Sequence, residues 1–127
     1  MTLWAYFHED PNVLVDVDMH PRKYREWGNS LIMYAHGDKE GKRVDKVMQV
    51  EAREAFGRTK YHEAHLAHLH SEQAIKELGG LIIRNLPSVT GEDNWSHESD
   101  CWCCKKCICF IWDKEKGLKG TTNIVID

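Results

Sequence analysis

Leu31-Ile32-Met33-Tyr34-Ala35-His36-Gly37-Asp38 is an apolar run that stops on a histidine, a glycine and an aspartate. A short apolar run closed by a turn signal reads as a buried strand. Strand ends, and the loops that follow them, are common places for ligands. Upstream, Tyr24 to Trp27 faces this run across Gly28-Asn29-Ser30, which predicts a β-hairpin. Downstream, Val44, Met48, Ala52, Ala55 and Phe56 recur at spacings of three and four with charges between them. That pattern predicts an amphipathic helix, and Gly57 is a suitable stop.

Further along, Tyr61 to His70 is the next strand candidate. Ala74 to Leu78 and Leu81 to Leu86 pair across Gly79-Gly80 as a second hairpin. Pro87 to Ser99 is polar and loop-like. Cys107 to Trp112 and Leu118 to Ile126 flank Lys114-Glu115-Lys116-Gly117 as a third hairpin. Towards the N-terminus, residues 1–9 read as the last turns of a helix, broken by Asp10-Pro11-Asn12. Val13, Leu14, Val15 and Val17 then read as a short buried strand. Three hairpins and one main helix, with mostly antiparallel pairing and no sustained βαβ alternation, give an α+β class. No internal repeat or low-complexity linker interrupts residues 1–127, which read as a single domain, in part incomplete.

The composition is that of a folded chain. Of the 127 residues, 42% are hydrophobic and 29% charged, which argues against disorder. Lys and Arg number 17 against 20 Asp and Glu, a net charge of -3, so nothing electrostatic favours non-specific nucleic-acid or membrane binding. No apolar run approaches the roughly 18–20 residues that span a bilayer. The N-terminus has neither a basic leader nor a small-residue cleavage site. The five cysteines are odd in number and all lie between Cys101 and Cys109, unlike a secreted disulfide framework. Both features predict a cytoplasmic protein. Five cysteines in nine residues cannot readily wrap a tetrahedral zinc, so buried or incidental thiols are the preferred reading there. Trp95, Trp102 and Trp112 read as packing residues, because no basic stripe accompanies them.

Histidines number eight, and four of them fall within His62-Glu63-Ala64-His65-Leu66-Ala67-His68-Leu69-His70. On a strand, residues i and i+2 share a face about 6.7 Å apart, so His68 and His70 point the same way and His65 the other. A zincin site is excluded: HExxH needs a helix and histidines four apart, and position 66 is leucine. Any single histidine is best read as a surface or hydrogen-bonded core residue. The His68/His70 pair together with the strand-end His36-Gly37 favours metal.

The run Leu31 to Asp38, followed by His65-Leu66-Ala67-His68-Leu69-His70, resembles the last two motifs of the calcineurin-like metallophosphoesterases. Those motifs are a strand-end His-Gly and a Gly-His-x-His. The match is nearest to a group from tailed bacteriophages and prophages. Thr59-Lys60-Tyr61, Ile82-Ile83-Arg84-Asn85-Leu86-Pro87-Ser88 and Trp112-Asp113-Lys114-Glu115-Lys116-Gly117-Leu118 come in the order seen in that group. The resemblance covers residues 3–120 and implies the C-terminal half of a four-layer αββα sandwich. It implies His36 and His68 on one divalent metal (Mn, Zn or Fe) and His70 on a second. It further implies hydrolysis of a phosphoester, with nucleic acid entering only as a substrate.

Two departures qualify what the resemblance implies. The glycine before the His-x-His is Ala67 here. The upstream motifs Asp-x-His, Gly-Asp-x-x-Asp and Gly-Asn-His-Asp/Glu have no counterparts in the expected order. Ser30 follows Gly28-Asn29, and Asp16, Asp18 and His20 read as solvated turn residues. Without a bridging carboxylate the metals are held loosely. The chain is therefore expected to be inert alone, and to need a partner chain carrying the N-terminal motifs or a homo-oligomer. A non-catalytic metal- or protein-binding module, or the remnant of a truncated gene, are the competing readings.

Overall fold

A computed structural model describes residues 2–67, 76–87 and 106–125. The elements run α1 (Thr2–Phe7), β1 (Arg22–Trp27), β2 (Ser30–Ala35), a 3-10 turn (Gly41–Arg43), α2 (Val44–Glu51), α3 (Arg53–Arg58), β3 (Tyr61–Leu66), β4 (Lys76–Leu78), β5 (Leu81–Asn85), β6 (Lys106–Asp113) and β7 (Gly117–Val125). The class is α+β, as expected. One sheet has five strands in the order β1-β2-β3-β5-β4, and β6 with β7 forms a second sheet of two.

All three hairpins form at the expected turns. Trp27 pairs with Ser30 across Gly28-Asn29, and Leu78 pairs with Leu81 across Gly79-Gly80. Gly79 and Gly80 have φ of 58° and 77°, the pair of positive angles that a two-residue turn needs to match strand twist. Asp113 closes the third turn: its Oδ1 accepts the backbone N–H groups of Glu115 and Lys116, both at 2.9 Å. What joins the first two hairpins is parallel pairing, β2 to β3 and β3 to β5. The helices between β2 and β3 supply the crossover that parallel neighbours require. Turn chemistry reports hairpins, but it carries no signal for pairing between strands this far apart in sequence.

The predicted helix is present in two pieces. Ala52, with φ −110° and ψ 33°, interrupts it, although the N–H of Ala52 reaches the Met48 carbonyl and that of Phe56 reaches Ala52. Gly57 lies inside α3 rather than beyond its end. The apolar stripe does what its spacing predicts. Val44 and Met48 sit on Leu31, Met33, Ala64, Leu66, Leu81 and Ile83 as the buried core. These sheet residues all lie on one face, as the period of two requires. On the same face, β1 is tied to the helices by charge. Arg22 donates to Glu40 (2.8 Å) and to both oxygens of Glu51, Tyr24 donates to Glu51 (2.6 Å), and Arg58 forks onto Glu26.

The opposite face carries Trp27, Ile32, Tyr34, Glu63, His65 and Arg84, set by the same alternation. The β6–β7 hairpin covers it. Phe110 lies 4.5 Å from the His65 ring, and the Arg84 guanidinium stands 5.8 Å from Phe110. The two turns clasp each other: the N–H of Asn29 donates to the Lys114 carbonyl at 2.7 Å, and the Lys114 ammonium stands 4.8 Å from the Trp27 ring. Helix, large sheet and small sheet thus form three successive layers.

One expected element is absent. Val13 to Val17 is not a strand, and Leu14 is 90% exposed. Local side-chain bonds turn this segment instead. Asp10, Asp16 and Asp18 each accept the backbone N–H two residues on. Such bonds compete with a strand ladder, and among the described residues no strand pairs with the segment. Hydrophobicity without a partner strand does not make a strand.

Candidate functional site

His36 follows the last residue of β2, at the carboxyl end of a strand whose first four residues are buried. The imidazole is exposed. Its backbone ties the edge together: the N–H of Ala67 donates to the His36 carbonyl at 3.0 Å, and the N–H of Leu86 donates to Leu66 at 2.7 Å. The carboxyl ends of three parallel strands, β2, β3 and β5, therefore meet at one rim. In open sheets with parallel strands, ligands gather at that rim, because helices cover the faces and loops diverge there.

His68 and His70 lie outside the described residues, so of the three sequence-predicted ligands the structure describes His36 alone. Ala67, the residue just before His68, is the one bonded to His36. Among the described residues, no group of three or more His, Cys, Asp or Glu side chains could hold a metal ion. Imidazole nitrogen is a donor type that suits Zn, Mn or Fe.

The other histidines of the strand have structural work. His62 faces the helices: its ring stacks on Phe56 at 3.7 Å, and Nε2 lies 3.1 Å from the Phe56 carbonyl. That β3 is a strand also removes the geometry a zincin would need. His65 faces the other way and is buried between the two sheets, edge-on to Tyr34 at 5.6 Å.

His65 belongs to an ionic cluster that sequence reading did not single out. Its Nε2 donates to Glu63 Oε2 at 3.1 Å. Arg84 forks onto the same carboxylate, Nε at 2.6 Å and Nη2 at 3.1 Å. Burial pushes the Glu63 carboxyl up, but the hydrogen bonds from His65 and Arg84 and the Arg84 charge outweigh it and hold it below the usual range. The signal was available: Glu63 and His65 are two apart on a strand, and Arg84 stands opposite His65 in register. Assigning the register needed the parallel pairing.

Asp16, Asp18 and His20 are the exposed turn residues expected. Asp18 holds the His20 ring at 2.6 Å, and Lys23 holds Asp16 at 3.1 Å. They line a shallow cleft of about 540 Å³ with Tyr24 and Glu51, and their charges are already paired. Of the expected buried or incidental thiols, the buried alternative fails for the two described cysteines: Cys107 and Cys109 are free and exposed on the outer side of β6. Strand alternation puts Phe110 and Trp112 inward and these two outward. Cys101, Cys103 and Cys104 lie outside the described residues. Among the described residues, no helix is long and apolar enough to cross a membrane.

No protein-family model matches the chain, and no curated protein sequence does. Among solved structures it is similar to a double mutant of Vps29 from Entamoeba histolytica, with 13% identity and a TM-score of 0.49. The likeness covers 88% of this chain and 65% of that one.

Proposed function

We propose that this chain is the histidine-bearing portion of a metal-dependent phosphoesterase, with His36, His68 and His70 as metal ligands. By itself it binds divalent metal and does not turn over phosphate mono- or diesters. The observation that supports this most is the hydrogen bond from Ala67 to His36, which brings the chain entering the His68-Leu69-His70 motif to the strand-end histidine. The order of the strand-end His-Gly and the His-x-His motif supports the same reading.

The chemistry follows from the donor set. A bound divalent metal polarises phosphoryl oxygens and lowers the pKa of its water. The part of this chain is to hold it through the ring nitrogens of these histidines. The rim supplies rigidity, because β2 and β3 are fixed by the core beneath them. What this chain lacks is a bridging carboxylate in the family's order, so two cations would repel each other without relief. A polypeptide bearing the three upstream motifs is the partner this reading requires.

Titration calorimetry with Mn²⁺ and Zn²⁺ tests the ligand set. The intact chain should bind, and the His36→Ala/His68→Ala/His70→Ala variant should lose binding; unchanged affinity in that variant sinks the assignment. Hydrolysis of bis(p-nitrophenyl) phosphate tests the rest. The chain alone should be inert, and turnover should appear when the completing polypeptide is added with Mn²⁺. A mixture inert with Mn²⁺, Zn²⁺ and Fe²⁺ alike rejects the phosphoesterase reading while leaving the metal site intact.

A further inference from the structure

Cys107 and Cys109 are two free thiols on one side of one strand, and both are exposed. Exposure alternates along β6, with Cys107, Cys109 and Ile111 outward. Phe110 and Trp112 point inward, to the His65 cluster. The cross-strand neighbours of the two thiols are Ile124 and Thr122. Neither carries a charge, and both cysteines are exposed.

Geometry decides what such a pair can do. Residues two apart on a strand are separated by about 6.6 Å, and their Cβ bonds are parallel. A disulfide needs Cβ atoms about 3.5–4.5 Å apart, so this pair cannot close one without breaking the β6–β7 ladder. A metal ion imposes a looser condition. With metal–sulfur bonds of about 2.3 Å in a tetrahedral arrangement, the sulfurs lie roughly 3.8 Å apart. Rotating both side chains about χ1 towards each other covers that gap with the backbone unmoved.

We infer that Cys107 and Cys109 form an open bis-thiolate site for a thiophilic d¹⁰ metal ion of the zinc or monovalent-copper class. Soft thiolates select such ions over the hard cations that favour oxygen ligands. On binding, two S–H protons leave to solvent and two S–metal bonds form. The strand neighbours supply no third ligand, so the remaining positions stay open to a small thiol, water or a ligand from another molecule. This site is on the outer face of the small sheet, whereas His36 is at the rim of the large one.

Cd²⁺ is the probe, because its thiolate complexes show an ultraviolet sulfur-to-metal charge-transfer band that imidazole ligands do not give. The background is the full chain, reduced, with Cys101→Ser, Cys103→Ser and Cys104→Ser. Its charge-transfer band should saturate at one thiolate-bound Cd²⁺ per chain, counted apart from any Cd²⁺ that the histidines hold. Adding either Cys107→Ser or Cys109→Ser should remove the band and weaken binding about a hundredfold, the loss expected when a linked second ligand goes. Both positions are exposed, so an unchanged far-ultraviolet circular dichroism spectrum will verify the fold. If the background protein shows no band, or if the band survives either single substitution, the site does not exist.

Discussion

Glu63, His65 and Arg84 set the terms at the scale of single residues. A carboxylate and a guanidinium between two sheets are costly to bury, and the fork from Arg84 offsets that cost. Removing only the cation leaves a buried carboxylate with the His65 hydrogen bond as its remaining partner. Arg84→Met should therefore destabilise the chain by about 3–5 kcal/mol, while Glu63→Leu/Arg84→Met together should cost less than Arg84→Met alone. Urea denaturation of the three proteins measures this, and additive losses would refute the pairing. The pH dependence has a definite sign. The folded-state pKa of Glu63 is depressed, so its contribution is present above the unfolded carboxyl value of 4.5 and disappears as pH falls through the lower folded value. The stability difference between the wild type and Glu63→Gln should shrink steadily below pH 4.5. Sequence reading did not single out this cluster, because it attended to the spacing of histidines. His36 was legible from its place before Gly37, but the partners of His65 depend on which strand lies beside β3.

Elements are joined here by turns as much as by faces. Gly28 has a φ of 55°, and a Cβ placed on it would stand 2.1 Å from the Lys114 carbonyl oxygen. That oxygen accepts the N–H of Asn29, so the contact cannot open without losing the clasp between the first and third hairpins. Gly28→Ala should cost about 2–4 kcal/mol, from left-handed strain and the lost hydrogen bond. Its amide exchange should quicken in β6 and β7 more than in β2 or β3. Gly120→Ala is the control: its Cβ meets nothing within 4 Å, and the change should stay within about 0.5 kcal/mol. Equal effects at the two glycines would dissolve the argument. The turn glycines and the apolar stripe from Val44 to Phe56 announced their elements because turn angles and helical period act locally. The break at Ala52 and the missing strand at Val13 were not legible. The first has no local breaker residue, and the second needed a partner strand that a one-dimensional pattern cannot supply.

The molecule as a whole has two differently finished ends. Its large sheet is covered on both faces, by helices on one and by the small sheet on the other. The stretch before β1 is not covered: Tyr6 is 80% exposed, Leu14 90% and Met19 93%. Scattered apolar residues are ordinary on a surface, but several exposed along one stretch of chain favour association. The core does not depend on these side chains, since none belongs to the buried cluster. Solubility and stability should therefore separate. Leu14→Glu/Met19→Glu should leave the folding free energy within about 0.5 kcal/mol of wild type, because neither residue is packed. The same variant should lower self-association, seen as a smaller weight-average mass by light scattering at the same concentration. A variant that associates as strongly as the wild type would move the cause elsewhere, and the outer face of β6 and β7, with Ile111, Ile124 and Val125 exposed, is the next surface to change.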